Sequence, residues 1–205
     1  MNRFTEAKFL LSAAAAAQFP ADSGAEVAFA GRSNSGKSSA INAILGRRAL
    51  ARTGKTPGQT RLVNFFELGP QQRVIDLPGY GYAQVSERER RGWGPLIEAL
   101  RTRQSLRGLF LIVDARRGVG AEDRGLIDWA DPSVRSVHVL LSKADKLNRT
   151  EAMQALKAAR AALGVRASVQ LFSALHGTGL DEARGVFLAW LAGDAAQTQS
   201  ASVDP

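Results

Sequence analysis

The chain contains no cysteine, so neither a disulfide nor a thiolate-ligated metal centre is open to it. Histidine is nearly as scarce. The two copies, His138 and His176, stand far apart in sequence and support no metal site. No apolar run approaches the roughly 20 residues that a membrane-spanning helix needs. The alanine run from Ala13 to Ala17 is too short to span, and it lacks the basic start and long apolar centre of a secretory signal. Acidic residues are in deficit: 19 Asp and Glu stand against 27 Lys and Arg, a formal net charge of +8. Most of these cations are arginine, which suits phosphate recognition, so a polyanionic partner is one reading and an ordinary basic surface is the other. These absences favour a cytoplasmic protein in a reducing compartment, with no membrane span.

What the chain does hold is enough apolar material for one core. Hydrophobic residues make up 45% and charged residues 22% of its 205 positions. Residues 1–24 read as an N-terminal arm in which Phe4, Phe9, Leu10 and Leu11 pack against the domain. Residues 25–192 read as that domain, and 193–205 as a small, polar, disordered tail. Within the domain, Glu26 to Ala30 is a short apolar strand. Leu62 to Leu68 and Arg73 to Asp76 flank the turn Gly69-Pro70 and predict a hairpin. Leu109 to Val113 and Val137 to Leu141 are continuous apolar runs, as expected for parallel strands covered on both faces. A further strand is expected at Ser168 to Phe172. Helical periodicity marks Ser38 to Leu45, the neighbourhood of Glu87 to Arg103, Ala121 to Ala130, Thr150 to Leu163 and Leu180 to Leu191. The expectation is a three-layer α/β domain with a mostly parallel six-stranded sheet, one antiparallel strand, and helices on both faces.

The strand at Glu26 to Ala30 runs into Gly31-Arg32-Ser33-Asn34-Ser35-Gly36-Lys37-Ser38, followed by Ser39. The string fits the phosphate loop of nucleotide hydrolases. Gly31 and Gly36 let the backbone curl with its N–H groups inward, where they hold phosphate oxygens. Lys37 supplies a point charge for the β- and γ-phosphates. Ser38 offers a hydroxyl to Mg²⁺. The helix that begins there aims its positive end at the phosphates. The plain alternative is a glycine-rich turn that matches by chance, which the strand before and the helix after argue against.

Further motifs follow in chain order. Asp76-Leu77-Pro78-Gly79 ends a strand; Asp76 is placed to hold Mg²⁺ through water, and the Gly79 N–H to meet a γ-phosphate. Between the motifs lies the loop Gly58-Gln59-Thr60-Arg61-Leu62, and its Thr60 is expected to close over Mg²⁺. Lys37, Thr60 and Gly79 are therefore the expected catalytic residues, and Ser38, Thr60 and Asp76 the metal set. Ser142-Lys143-Ala144-Asp145 resembles the guanine-recognition motif of GTPases. An aspartate there accepts from the N1–H and exocyclic amine of guanine, and adenine offers neither donor in that arrangement. Ser142 departs from the usual first residue. Phe172-Ser173-Ala174 resembles the signature whose backbone N–H meets the guanine carbonyl.

The order of these motifs is that of a Ras-like, translation-factor-class P-loop GTPase. The strings Gly31-Arg-Ser-Asn-Ser-Gly-Lys-Ser-Ser, Lys55-Thr-Pro-Gly-Gln-Thr, Asp76-Leu-Pro-Gly-Tyr-Gly-Tyr-Ala and Arg103-Gln-Ser-Leu-Arg-Gly-Leu narrow it further. Together they resemble the EngB (YihA/YsxC) family of bacterial GTPases over roughly residues 4–191. The resemblance implies a GTP- and GDP-binding, Mg²⁺-dependent protein that acts in assembly of the large ribosomal subunit, with rRNA and ribosomal proteins as partners. It also implies a link to normal cell division and septation. A monomer is expected. Two other readings stand beside it: a switch read by a non-RNA division partner, and a small-molecule phosphotransferase, for which no acceptor lid is visible.

Two finer expectations concern single residues. Arg88, Arg90, Arg91, Arg101 and Arg103 lie on or near one helix and are candidates for contact with ribosomal RNA phosphates, with a solvated face as the alternative. Tyr80 stands where Ras-like enzymes usually carry the glutamine that orients water, so hydrolysis by the chain alone should be slow. Asn34 sits where some GTPases bind K⁺; its other reading is a cap on the loop backbone.

Overall fold

The computed structural model describes residues 4, 6–51, 62–80, 95–131 and 135–193. Their centre is one seven-stranded sheet: β1 (Lys8–Ala13), β2 (Ala25–Gly31), β3 (Val63–Gly69), β4 (Gln72–Asp76), β5 (Leu106–Asp114), β6 (Ser136–Ser142) and β7 (Ser168–Leu171). The spatial order is β1-β3-β4-β2-β5-β6-β7. Only β3 runs against the others. The helices are α1 (Lys37–Leu45), α2 (95–101), α3 (Ala121–Ala130), α4 (Arg149–Leu163) and α5 (Leu180–Ala192). Among the described residues no helix is long and apolar enough to cross a membrane.

The strand types follow from burial. All seven residues of β2 are buried, and β5 and β6 are buried almost end to end, so their sequences read as unbroken apolar runs. Helix ends carry their own signals. Asn148 caps α4 by accepting from the Glu151 N–H, while the Glu151 carboxylate accepts from the Asn148 N–H. α1 stops at Gly46 in the left-handed conformation that closes helices.

Two apolar layers sandwich the sheet. On one face α1 and α5 cover Phe29 and Phe110, whose rings stack at 5.0 Å, and Phe187 of α5 packs against both. Trp190 of α5 lies 4.8 Å from the Phe110 ring. Gly108 makes room for that indole; a Cβ there would stand 2.4 Å from the ring. On the other face Leu96 and Leu100 of α2, Ile127 of α3, and Ala159 and Leu163 of α4 cover Leu109, Leu111 and Leu141.

The sheet has one strand more than expected. β1 lies within the segment read as an arm and pairs antiparallel with β3. Phe9 meets Phe66 edge-on at 5.9 Å, and Phe4 meets Phe187 at 5.5 Å. Lys-Phe-Leu-Leu-Ser-Ala hides the strand because it lies at the sheet edge, where its first three residues are exposed and no alternation is forced. The expected residues Gly58, Gln59, Thr60 and Arg61 lie outside the described residues, as do Arg88, Arg90, Arg91 and the tail from 194.

Arg103 is a correction. It is buried, not a surface cation, and its guanidinium donates to both carboxylate oxygens of Glu26 at 2.6 and 2.8 Å. Glu26 is wholly buried and also accepts from Arg73 at 2.9 Å and from the Ser105 hydroxyl at 2.8 Å. Arg103 donates further to the carbonyls of Pro20 and Ala21. The burial penalty of the Glu26 carboxylate is met by this full set of donors at the amino end of β2. Arg101, by contrast, stays at the surface, paired with Glu98. His138 is also buried, between Ser168 and Gln170, and burial pushes its imidazole down to about 4, so it is neutral at pH 7.

Arg103→Ala leaves Glu26 short of two donors in a buried site. We expect a loss of about 3 kcal/mol of stability, read by urea denaturation. Lys8→Ala, which breaks an exposed pair with Glu67, should cost under about 1 kcal/mol. Equal losses in the two variants would refute the ranking.

Candidate nucleotide-binding site

The site lies at the carboxyl end of the sheet, where open α/β folds place their ligands. β2 ends at Gly31 and α1 begins at Lys37, so the phosphate loop is the turn between them. The Ser35 N–H donates to the Arg32 carbonyl at 3.0 Å, which tightens the turn. Asn34 and Gly36 take left-handed backbone conformations, with φ of 64° and 96°. Gly31 is required by space: a Cβ there would come within 2.5 Å of the Ser35 Oγ and 2.7 Å of the Ile112 carbonyl.

The segment after β4 rests directly on this loop. The Ser33 N–H donates to the Tyr80 carbonyl at 3.0 Å, and Arg32 and Tyr80 form an isolated parallel bridge. A Cβ on Gly79 would stand 2.8 Å from the Ser33 Oγ and 3.2 Å from the Ser33 N, so this close approach needs glycine. Leu77 and Pro78 lie between Asp76 and this contact, and the Leu77 N–H donates to the Phe29 carbonyl at 2.9 Å. The Lys37 ammonium is paired with the Asp76 carboxylate, and both side chains are nearly buried. Ser38, in the first turn of α1, and Ser39 follow Lys37. Leu62, the last residue of the expected 58–62 loop, is described and immediately precedes β3.

The Tyr80 phenol turns to α3. It donates to the Asp123 carboxylate, which is itself buried and accepts the Gly120 N–H at 2.7 Å. Burial, and then the Asp123 carboxylate, hold the phenol well above its ordinary range, so it stays protonated.

The base motif closes the other side. The Ser142 hydroxyl donates to the Ser35 carbonyl at 2.5 Å. Lys143 adopts a left-handed backbone, and its ammonium donates to the Asn34 carbonyl at 2.6 Å and to Asp114 at 3.0 Å. Asp145, whose side chain is 7% exposed, accepts from the Ser173 hydroxyl at 2.7 Å. That hydrogen bond holds its carboxyl below the usual carboxylate range. The Ala144 N–H donates to the Phe172 carbonyl at 3.1 Å, which ties the two base-side motifs together. A cleft of about 700 Å³ runs from Gly36, Ser39, Asn42, Arg47 and Arg48 to Ser142, Lys143, Asp145, Phe172, Ala174 and Leu175.

The structure therefore brings the phosphate loop, Asp76 to Gly79, Ser142 to Asp145 and Phe172 to Ala174 onto one edge. It also adds residues that were not read from the sequence. Asp114, at the end of β5, binds Arg116 at 2.7 and 2.9 Å as well as Lys143. Arg116, then Lys143, hold its carboxyl far below the usual range. A lone acid closing an apolar strand was the available signal. Asp123, Arg47, Arg48 and Leu175 carried none, because their roles here depend on neighbours distant in sequence.

A family model described as 50S ribosome-binding GTPase matches residues 26–143. The probable GTP-binding protein EngB of Azoarcus sp. (strain BH72) is 50% identical over 98% of both chains. The probable GTP-binding protein EngB of Coxiella burnetii (strain RSA 331 / Henzerling II) is 45% identical over 91% of this chain and 93% of that one. A crystal structure of a probable GTP-binding protein EngB is similar in fold, with a TM-score of 0.62 and 22% identity over 82% of this chain and all of that one.

Ser173→Ala removes the donor to Asp145. The Asp145 carboxyl should then titrate at higher pH, as followed by side-chain carboxyl NMR. An unmoved titration would show that Ser173 does not control this group.

Proposed function

The chain belongs to the EngB family of GTP-binding proteins and is a GTPase, and from that footing we propose a slow, Mg²⁺-dependent switch in assembly of the large ribosomal subunit. It works in the cytoplasm as a monomer, and the family resemblance also links it to normal cell division and septation. The contact that carries the switch reading is Gly79 and Tyr80 seated on Ser33 and Arg32. A change at the γ-phosphate end of the nucleotide reaches the segment after Asp76 through that contact. The ribosomal part is supported by the matching family description and by the net charge of +8.

The roles follow from the chemistry of each group. Backbone N–H groups from Gly31 to Ser39 hold the phosphates, and the positive end of α1 adds to them. Lys37 exchanges its Asp76 partner for β- and γ-phosphate oxygens. The hydroxyls of Ser38 and Thr60 and the carboxylate of Asp76, the last through water, form a hard-oxygen set that suits Mg²⁺. When bound there, Mg²⁺ offsets the charge that develops on the phosphates. Thr60, within the loop Gly58 to Leu62, and Gly79 sense the γ-phosphate. Asp145 accepts from the guanine N1–H and amine, the Lys143 stem lies over the base, and the Ala174 N–H meets the guanine carbonyl.

Slow chemistry follows from Tyr80. Its hydroxyl is committed to Asp123 and stays protonated, so it neither orients nor deprotonates the attacking water. Asn34 is exposed at the rim of the phosphate loop, with its carbonyl held by Lys143. The Asn34 amide oxygen suits K⁺, which would place positive charge beside the phosphates.

Turnover of the chain alone in Na⁺ should be slow. Large ribosomal subunits should raise it, and K⁺ should stimulate it in wild type but not in Asn34→Ala at equal ionic strength. Fast turnover alone in Na⁺ would sink the Tyr80 argument, and failure to copurify with large subunits in a GTP analogue would sink the ribosomal one. The base pocket has a separate check. Asp145→Asn should weaken GTP binding and admit xanthine nucleotides, because the amide replaces an acceptor with a donor. Unchanged GTP preference would reject that assignment.

A further inference from the structure

We propose that an exposed flank of α4, carried by Arg149, Lys157 and Arg160, is a docking surface for RNA phosphates; this rests on the ribosomal reading above. At about 100° per residue, positions 149, 153, 157 and 160 fall within roughly 80° of arc. All four residues are exposed. The stripe of α4 next to them is anchored, with Ala159 and Leu163 buried in the layer shared with β6 and β5, so the cations stand along the rim of a fixed support.

The charge pattern is not that of a helix stabilising itself. α4 has one acid, Glu151, and its carboxylate is used by the amino-terminal cap. Several other surface cations are paired, Lys8 with Glu67, Arg101 with Glu98, Arg116 with Asp114 and Arg166 with Asp128, while Arg48, Arg107 and Arg117 are exposed and form no ion pair among the described residues. Arg149, Lys157 and Arg160 form no ion pair among the described residues. Arg149 is also the first residue of the helix, at the positive end of its dipole, where a cation is unfavourable. Only Arg160, in the last turn, gains from the dipole.

Between the cations sits Met153, 55% exposed, one helical turn from both Arg149 and Lys157. Such a row of cations, broken by one apolar side chain that leaves room for a ribose, fits a phosphate backbone. An acidic protein is the competing occupant. None of the three cations is among the residues assigned to the nucleotide, so the flank would hold RNA while the nucleotide edge reports the state of GTP.

The test uses the full chain with a GTP analogue. Binding to purified large subunits and to a short labelled RNA duplex is measured against salt concentration. The proteins are wild type, the triple variant Arg149→Glu/Lys157→Glu/Arg160→Glu, and the milder Arg149→Gln/Lys157→Gln/Arg160→Gln. The Glu variant should bind RNA at least about tenfold more weakly, and the Gln variant several-fold more weakly. In both, the slope of log affinity against log salt should fall by roughly 2–3, while GTP affinity stays within about twofold of wild type. Unchanged affinity and slope for the duplex in both variants would overturn the proposal. So would a loss confined to large subunits with duplex binding unchanged, which would make the occupant an acidic protein. Wild-type binding to the duplex but not to large subunits would remove the ribosomal reading and leave the surface standing.

Discussion

The ligand edge depends on how the phosphate loop is held. Hydrogen bonds from the base-side motif take its carbonyls: Ser142 binds the Ser35 carbonyl, and Lys143 binds that of Asn34. From the other side, the Tyr80 carbonyl takes the Ser33 N–H, and Gly79 packs against Ser33. A loop rich in glycine and serine would otherwise lose much entropy on ordering. Here the neighbouring motifs supply the constraint, so the loop is shaped by groups far from it in sequence. The phosphate and base subsites are thus one hydrogen-bonded unit, with Lys143 as the shared side chain.

The opposite end of the sheet is organised by charge. Glu26 is buried at the start of β2, and Arg73 from β4, Arg103 after α2 and Ser105 before β5 converge on it. Removing one partner from such a group costs more than the pair gains over apolar residues, so it fixes arrangement more than it adds stability. Its effect is to set where α2 ends relative to β2. That matters for function because the same β2 delivers the phosphate loop, which begins five residues after Glu26 at Gly31 and runs to Lys37.

Much of this was legible beforehand, for physical reasons. The central strands read correctly because burial on both faces leaves long apolar runs, and the phosphate loop and base motif could be picked out as candidates because such chemistry fixes residue types at fixed spacing. β1 escaped because an edge strand with exposed residues has no burial pattern to show. Arg103 was misread as a surface cation because its partner, Glu26, lies 77 residues away and only the fold brings them together. Asp123 was invisible as a Tyr80 partner for the same reason, at a separation of 43 residues.

That Tyr80 contact is where structure and rate meet. A glutamine after the glycine would be free to turn toward a water, whereas the Tyr80 phenol is held by a buried carboxylate at the start of α3. Releasing it would leave the Asp123 carboxylate with the Gly120 N–H donating to it but without its phenol donor, in a site that water barely reaches. The contact therefore resists local rearrangement. It also joins the segment after Asp76 to α3, so that movement of one loads the other. On the proposed reading, a partner that shifts α3 changes the setting of Gly79 against the phosphate loop without touching the nucleotide. On the same reading, slow chemistry in the resting arrangement and a ligand edge reachable through α3 would both follow from a single hydrogen bond.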